Sequence, residues 1–162
     1  MVIKIIFNII LLFSFFILAS SRAWFRYQCV GFDLTFTCNG KKYSNVNSVL
    51  YDYMTPFWNT IGSFRANNDS SLYFTGVMDT FVTFNPYLYL YHQCNENDPM
   101  CQTEFYIHIP KTYVYNGKRP EKFLKKDIEL GNKYLGQNRQ CIRNGKLVKN
   151  VPYPKKTKSK KQ

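Results

Sequence analysis

Residues 87–110 read YLYLYHQCNENDPMCQTEFYIHIP, two alternating apolar runs on either side of a polar turn bracketed by cysteines. Side chains alternate along a strand, so Leu88, Leu90 and His92 share one face of the first run and Tyr87, Tyr89 and Tyr91 the other. In the second run Phe105, Ile107 and Ile109 oppose Glu104, Tyr106 and His108, and Pro110 closes it. The intervening Asn95-Glu96-Asn97-Asp98-Pro99-Met100 is too polar and too rich in turn formers to continue either strand. The stretch predicts a β-hairpin with Cys94 and Cys101 facing each other across its loop. A disulfide between them would contribute about 2–4 kcal/mol, mainly by restricting the unfolded chain.

Working outward, Phe32, Leu34, Phe36 and Cys38 alternate with Asp33, Thr35 and Thr37, which predicts a half-buried strand turned by Asn39-Gly40. Val46 to Tyr53 predicts a second strand, ended by Pro56. Residues 56–71 contain Gly62 and Asn67-Asn68-Asp69-Ser70 and read mostly as loop, with a short strand near Ile61 to Arg65. Leu72 to Phe74 and Thr80 to Phe84 are further short strands. After the hairpin, Asn116-Gly117 turns the chain and Leu124 to Leu130 supplies a last strand before Gly131. No helical periodicity of useful length follows residue 23. Six to eight short strands with frequent turns define an all-β fold, a single disulfide-stapled domain built as an antiparallel β-sandwich.

At the N-terminus Lys4 precedes an apolar run from Ile5 to Leu18, interrupted only by Asn8 and Ser14. That run has the length of a signal-peptide core and falls short of the roughly 20 residues a bilayer-spanning helix needs. Ser21 and Ala23 place cleavage after Ala23, with Ser21 as the alternative site. The expected organisation is a signal peptide over 1–23, a domain over 24–142 and a basic tail over 143–162, in a secreted, extracellular protein with no membrane-spanning segment once the signal is removed. In an oxidising compartment the five cysteines suggest two disulfides and one leftover thiol. Cys29 and Cys38 bracket one extended run about 30 Å long and cannot pair with each other. With Cys94 joined to Cys101, Cys141 would join Cys38 or Cys29. A leftover Cys29 would be free or would cross-link two chains.

Charge is segregated. Residues 24–142 carry 12 lysines and arginines against 10 acids, whereas residues 143–162 carry 8 basic residues and no acid. The tail has two prolines and little apolar surface, so it is expected to stay disordered in isolation. It is either a solvating extension or an electrostatic arm in which Lys155, Lys156, Lys158, Lys160 and Lys161 meet an anionic lipid, a glycan or an acidic extracellular protein. Nucleic acid is set aside as a partner: a secreted chain seldom meets it, and the tail has no aromatic interleaving beyond Tyr153. Deleting residues 150–162 is expected to remove salt-sensitive binding and spare the fold. Asn68-Asp69-Ser70 is an N-glycosylation sequon in a predicted loop, which makes Asn68 a candidate acceptor.

Several separated landmarks resemble the nematode transthyretin-like family. They are Gln28-Cys29-Val30-Gly31, Cys38-Asn39-Gly40-Lys41, Leu50-Tyr51-Asp52, Tyr91-His92-Gln93-Cys94, Cys101, Ile109-Pro110, Tyr113, Asn116-Gly117-Lys118 and Arg139-Gln140-Cys141. The resemblance spans roughly Gln28 to Ile142. It implies a secreted sandwich of the transthyretin (prealbumin, immunoglobulin-like) type with disulfides among Cys38, Cys94, Cys101 and Cys141. It favours Cys38 with Cys141 as the second bridge, leaving Cys29 and the lysine tail as departures. It also implies an adaptor or carrier role.

The related 5-hydroxyisourate hydrolases share that sandwich, with strand histidines, an arginine and a C-terminal Tyr-Arg-Gly-Ser. Here Gly31-Phe32-Asp33-Leu34-Thr35-Phe36-Thr37 has no histidine, and the chain ends in lysines. His92 and His108 read as structural histidines. Glu96 with Asp98 and Asp127 with Glu129 fit turns and strand faces. No catalytic, metal-binding or cofactor-binding motif is present, so an enzyme is not expected. The abundance of tyrosine and phenylalanine leaves a carrier of small apolar ligands as the alternative to an adaptor, with Tyr87, Tyr89 and Tyr91 as possible groove residues.

Overall fold

The computed structural model describes residues 26–54, 57–80 and 82–153. The expected signal segment and its cleavage site, Pro56, and the five lysines from Lys155 to Lys161 lie outside the described residues. The strands are β1 (Arg26–Cys38), β2 (Lys41–Lys42), β3 (Val46–Met54), β4 (Phe57–Arg65), β5 (Ser71–Thr80), β6 (Pro86–His92), β7 (Cys101–His108), β8 (Tyr115–Asn116), β9 (Phe123–Glu129), β10 (Asn138–Arg143) and β11 (Lys146–Val148). The one helical element among the described residues is a 3-10 turn at Lys111–Tyr113.

Two sheets form a sandwich. In the first, β1 is central, with β5 and then β2 along one edge and β8 and then β9 along the other. The second has the order β11-β10-β7-β6-β3-β4. All pairs are antiparallel except one: β9 runs parallel to β1 from Gly31↔Phe123 to Thr37↔Glu129. The inner faces carry the apolar halves of the alternating runs. Val30, Phe32, Leu34 and Phe36 of β1 are fully buried, as are Leu50 of β3, Leu88 and Leu90 of β6 and Phe105 of β7. Stacked rings of Phe64, Phe74 and Phe32, with centroids 3.6 and 4.6 Å apart, tie β4 of the second sheet to β5 and β1 of the first.

At Gly76 of β5 the two sheets pack too closely for a side chain. A Cβ there would overlap Leu50 Cδ2, and Leu50 is fully buried with little room to yield. Gly76→Ala is expected to cost about 1–3 kcal/mol by overpacking. Urea unfolding monitored by fluorescence would measure it, and an unchanged midpoint would show that the sheets are not in contact there.

Several sequence expectations are corrected. Residues 57–65 are not loop: β4 is a nine-residue strand, paired to β3 from Met54↔Phe57 to Asn47↔Arg65. The ladder with β3 overrides the weak local signal of Asn59 and Gly62, and a register shift at Leu50/Tyr51 breaks the alternation that would have revealed it. β5 extends well beyond Phe74, whereas residues 82–85 are a connection and not the expected strand. Side chains satisfy that connection. Gln28 Oε1 accepts from the Phe84 N–H at 2.6 Å, Asp52 Oδ1 accepts from the Asn85 N–H at 2.8 Å, and Phe84 is buried as an anchor.

The boundary expected after Ile142 also lies too early. β10 continues through a tight turn into β11, with Ile142↔Leu147 and Arg143↔Lys146 paired. Beyond β11, the Val151 N–H donates to the Arg139 carbonyl, and the Tyr153 hydroxyl lies 3.2 Å from Thr103 Oγ1 and accepts from Gln137 Nε2 at 2.9 Å. A deletion starting at Asn150 would therefore cut into the sheet's own contacts, contrary to the expectation that it spares the fold.

The same four cysteines are bonded, but with exchanged partners: Cys38 joins Cys94 and Cys101 joins Cys141. The hairpin ladder stops at His92↔Thr103, so Cys94 never comes to face Cys101. The chain turns through Gln93–Glu96, with Asn95 at φ +61° and the Glu96 N–H donating to the Gln93 carbonyl. Cys94 thereby points across the sandwich to the end of β1. Beside that bridge, Asn39 Nδ2 donates to Asn95 Oδ1 at 2.7 Å. Cys101 instead lies directly opposite Cys141 on adjacent strands.

Cys29 is an unbonded thiol with no exposed surface. On its side of β1, Pro120 and Phe123 pack over Gly31 so closely that no Cβ would fit. A thiol so enclosed cannot meet another chain, which of the two alternatives favours the free thiol over the cross-link, and burial pushes its pKa up, away from the reactive thiolate.

Candidate ligand-binding face

The polar-looking halves of the alternating runs gather on the outer face of the six-stranded sheet, and there they are mostly aromatic. Alternation in β6 turns Leu88, Leu90 and His92 inward and Tyr87, Tyr89 and Tyr91 outward. The registers Tyr51↔Tyr87, Tyr53↔Trp58 and Tyr89↔Tyr106 extend this row across four strands. Trp58 is 47% and Tyr106 40% exposed, although both are large apolar rings.

One part of this face is concave. The rings of Tyr51, Trp58 and Tyr89 stand nearly perpendicular to one another, at 83° and twice 85°, with centroids 5.3–6.0 Å apart. Together with Tyr91, Glu104 and Lys149 they line one cavity of about 260 Å³. Glu104 is nearly buried, at 9% exposure. Among the described residues the ion pairs are Lys125–Asp33, Arg139–Glu96 and Arg143–Asp98, so neither Glu104 nor Lys149 has a charged partner there. Burial first, and the Glu104 charge second, push the Tyr91 and Tyr89 hydroxyl pKa values up, so both remain protonated donors at neutral pH.

The other titratable groups singled out in the sequence are held in structural roles. His92 is buried, accepts the Cys94 N–H on Nδ1 and has no partner for Nε2 among the described residues. Burial lowers its pKa to about 4. His108 Nε2 lies 3.0 Å from Asn85 Oδ1, and its ring lies against Tyr87. Glu96 is paired with Arg139, and Asp98 with Arg143. Glu129 accepts backbone N–H groups of Gly40, Gly131 and Asn39, which hold its pKa down to about 2 and lock the turn after β1 against the end of β9. No cluster of three or more histidine, cysteine or acidic side chains suited to a metal occurs among the described residues. Asn68 is exposed in the turn between β4 and β5, beside a buried Ser70 at φ +70°.

The sequence marked Tyr87, Tyr89 and Tyr91 for this face but missed Tyr51, Trp58, Glu104 and Lys149. A tryptophan in a tyrosine-rich chain was the available signal at Trp58, and it was masked by the loop-like surroundings of Asn59 and Gly62.

The fold is a disulfide-linked β-sandwich with a filled core and an open aromatic sheet face. The model described as "TTR-52: Transthyretin-like family" matches residues 35–110. Transthyretin-like protein 5 of Caenorhabditis elegans is 30% identical over 108 residues, covering 65% of this chain and 78% of that protein. Transthyretin-like protein 2 of the same organism is 27% identical over 113 residues, 65% of this chain and 76% of the relative, and transthyretin-like protein 33 is 27% identical over 134 residues, 80% and 93%. The chain belongs to the transthyretin-like family, a family of non-enzymatic binding proteins. No solved structure matches it significantly.

Proposed function

We propose that this is a secreted, non-enzymatic binding or adaptor protein that takes its ligand on the aromatic outer face of the six-stranded sheet and uses Lys155, Lys156, Lys158, Lys160 and Lys161 to dock on anionic cell-surface lipid or glycan. The observation that carries it is the aromatic face. Trp58 and Tyr106 spend their apolar surface on solvent while the core is already filled, and exposed apolar patches of this kind mark interaction sites. Carriage of a small apolar ligand is the second reading, favoured by the same rings. With both inner faces occupied by Phe32, Phe36 and Phe105, such a ligand would also have to sit outside the sandwich.

The test compares the chain without its signal segment, a truncation lacking residues 154–162, and Trp58→Ala/Tyr106→Ala. They are screened against anionic vesicles, sulfated glycans and apolar small molecules. The truncation starts at Pro154 and so leaves the Tyr153 contacts in place. Each lysine near an anionic surface contributes about 1 kcal/mol, so the truncated chain is expected to lose salt-sensitive retention on heparin or anionic vesicles. Retention unchanged by truncation would reject the arm. A ligand bound equally well by the ring variant would reject the aromatic face.

A further inference from the structure

We propose that the corner formed by Tyr51, Trp58 and Tyr89, with Glu104 and Lys149 lining the same cavity, is a binding site for a phosphocholine group, with the quaternary ammonium against the three rings and the phosphate toward Lys149. The assignment rests on the aromatic face being the ligand-contacting surface. It names the chemistry that one part of that face selects.

A quaternary ammonium has no N–H to donate, so it is recognised by electron-rich ring faces and a nearby carboxylate, not by hydrogen-bond acceptors. Tyr51, Trp58 and Tyr89 stand at right angles to one another around the same cavity. Centroids 5.3–6.0 Å apart around one cavity put all three rings within reach of a single bound cation, inside the roughly 6 Å range of the cation–π attraction. Glu104 adds a formal negative charge at low exposure with no cationic partner among the described residues, a cost that a bound cation would offset.

Lys149 decides which cation. Lys149 lines the same cavity as Glu104, so a simple cation gains from Glu104 and loses to Lys149, whereas a zwitterion with an anionic group a few bonds from the ammonium meets both charges. The volume, about 260 Å³, lies just below the range of pockets that enclose drug-sized molecules and suits a headgroup.

Titration of the chain with soluble phosphocholine, followed by tryptophan fluorescence and calorimetry, tests the site. Saturable binding is expected, weakened about tenfold by Trp58→Ala or Tyr51→Ala and retained by Trp58→Phe. Lys149→Glu should weaken phosphocholine and strengthen choline, a reversal that loss of folding cannot produce. Phosphatidylcholine vesicles and soluble phosphocholine run in parallel identify the source: retention on vesicles in addition assigns a membrane headgroup, and binding of the soluble form alone assigns a free or glycan-linked group. Absence of saturable phosphocholine binding, or binding unaffected by Trp58→Ala, would overturn the site. If Trp58→Ala/Tyr106→Ala still abolishes binding of some other compound in the screen above, the aromatic face survives as the ligand surface and only its assignment to phosphocholine fails.

Discussion

Replacing Cys38 and Cys94 together by serine is expected to lower the free energy of unfolding by about 4 kcal/mol, the loop-closure entropy of a 56-residue separation. This bond joins the end of β1 in one sheet to the segment after β6 in the other, so it closes one end of the sandwich. Its loss also leaves the Asn39–Asn95 side-chain contact as the main polar link at that end. For a domain of this size the urea midpoint should fall by roughly 2 M. Both cysteines are changed together because a single substitution would leave a reactive thiol. Peptide mapping without reduction should recover a Cys38–Cys94 linked pair and a Cys101–Cys141 linked pair. A Cys94–Cys101 fragment, or a double variant as stable as the parent, would contradict the arrangement.

The second large effect lies at Arg139. Its guanidinium forms a fork on Glu96, Nε to Oε2 at 2.5 Å and Nη2 to Oε1 at 2.8 Å, and Nη1 donates to the Pro152 carbonyl at 3.1 Å. The two side chains are only 6% and 3% exposed. Breaking a buried pair by removing one partner typically costs 3–5 kcal/mol, because the other charge is left stranded. Here the cover is only the 95–98 turn and the chain near Pro152, so Arg139→Ala is expected near the lower end, about 3 kcal/mol. Arg143–Asp98 pins the same loop at 2.8 Å but is 55% and 29% exposed, and Arg143→Ala should cost under about 1 kcal/mol.

Arg139 holds the Glu96 carboxyl below its usual pKa. A depressed folded pKa means that this contribution is present above the ordinary glutamate range and lost as the pH falls through the folded value. The penalty of Arg139→Ala should accordingly shrink in acid. Equal penalties for the two arginine variants in denaturant titrations at neutral pH would remove the buried pair from the account.

Much of the fold was legible because alternation is a local property. Leu88, Leu90 and His92 inside with Tyr87, Tyr89 and Tyr91 outside follow from a period of two residues, and the same rule placed Phe32, Leu34 and Phe36 in the core. Asn39-Gly40 announced its turn because both residues tolerate the positive φ it requires, +54° and +76°. β4 was illegible because a strand containing Gly62 and Asn59 is stabilised by its neighbour and not by its own preferences. β11 was hidden by the basic character of residues 143–149, although exposed edge strands carry lysine without difficulty.

By itself the sequence determined that the chain folds as an all-β sandwich, which half of each main strand faces inward, and which four cysteines form its bridges. Those follow from alternation, turn chemistry and a family resemblance distributed along the domain. Only the tertiary structure decided which cysteine meets which, that the second sheet continues past Ile142, and that Tyr51, Trp58, Tyr89, Glu104 and Lys149 converge. Each depends on how strands distant in sequence stack and register, and a period of two residues assigns a side chain to a face without saying what stands opposite or beside it.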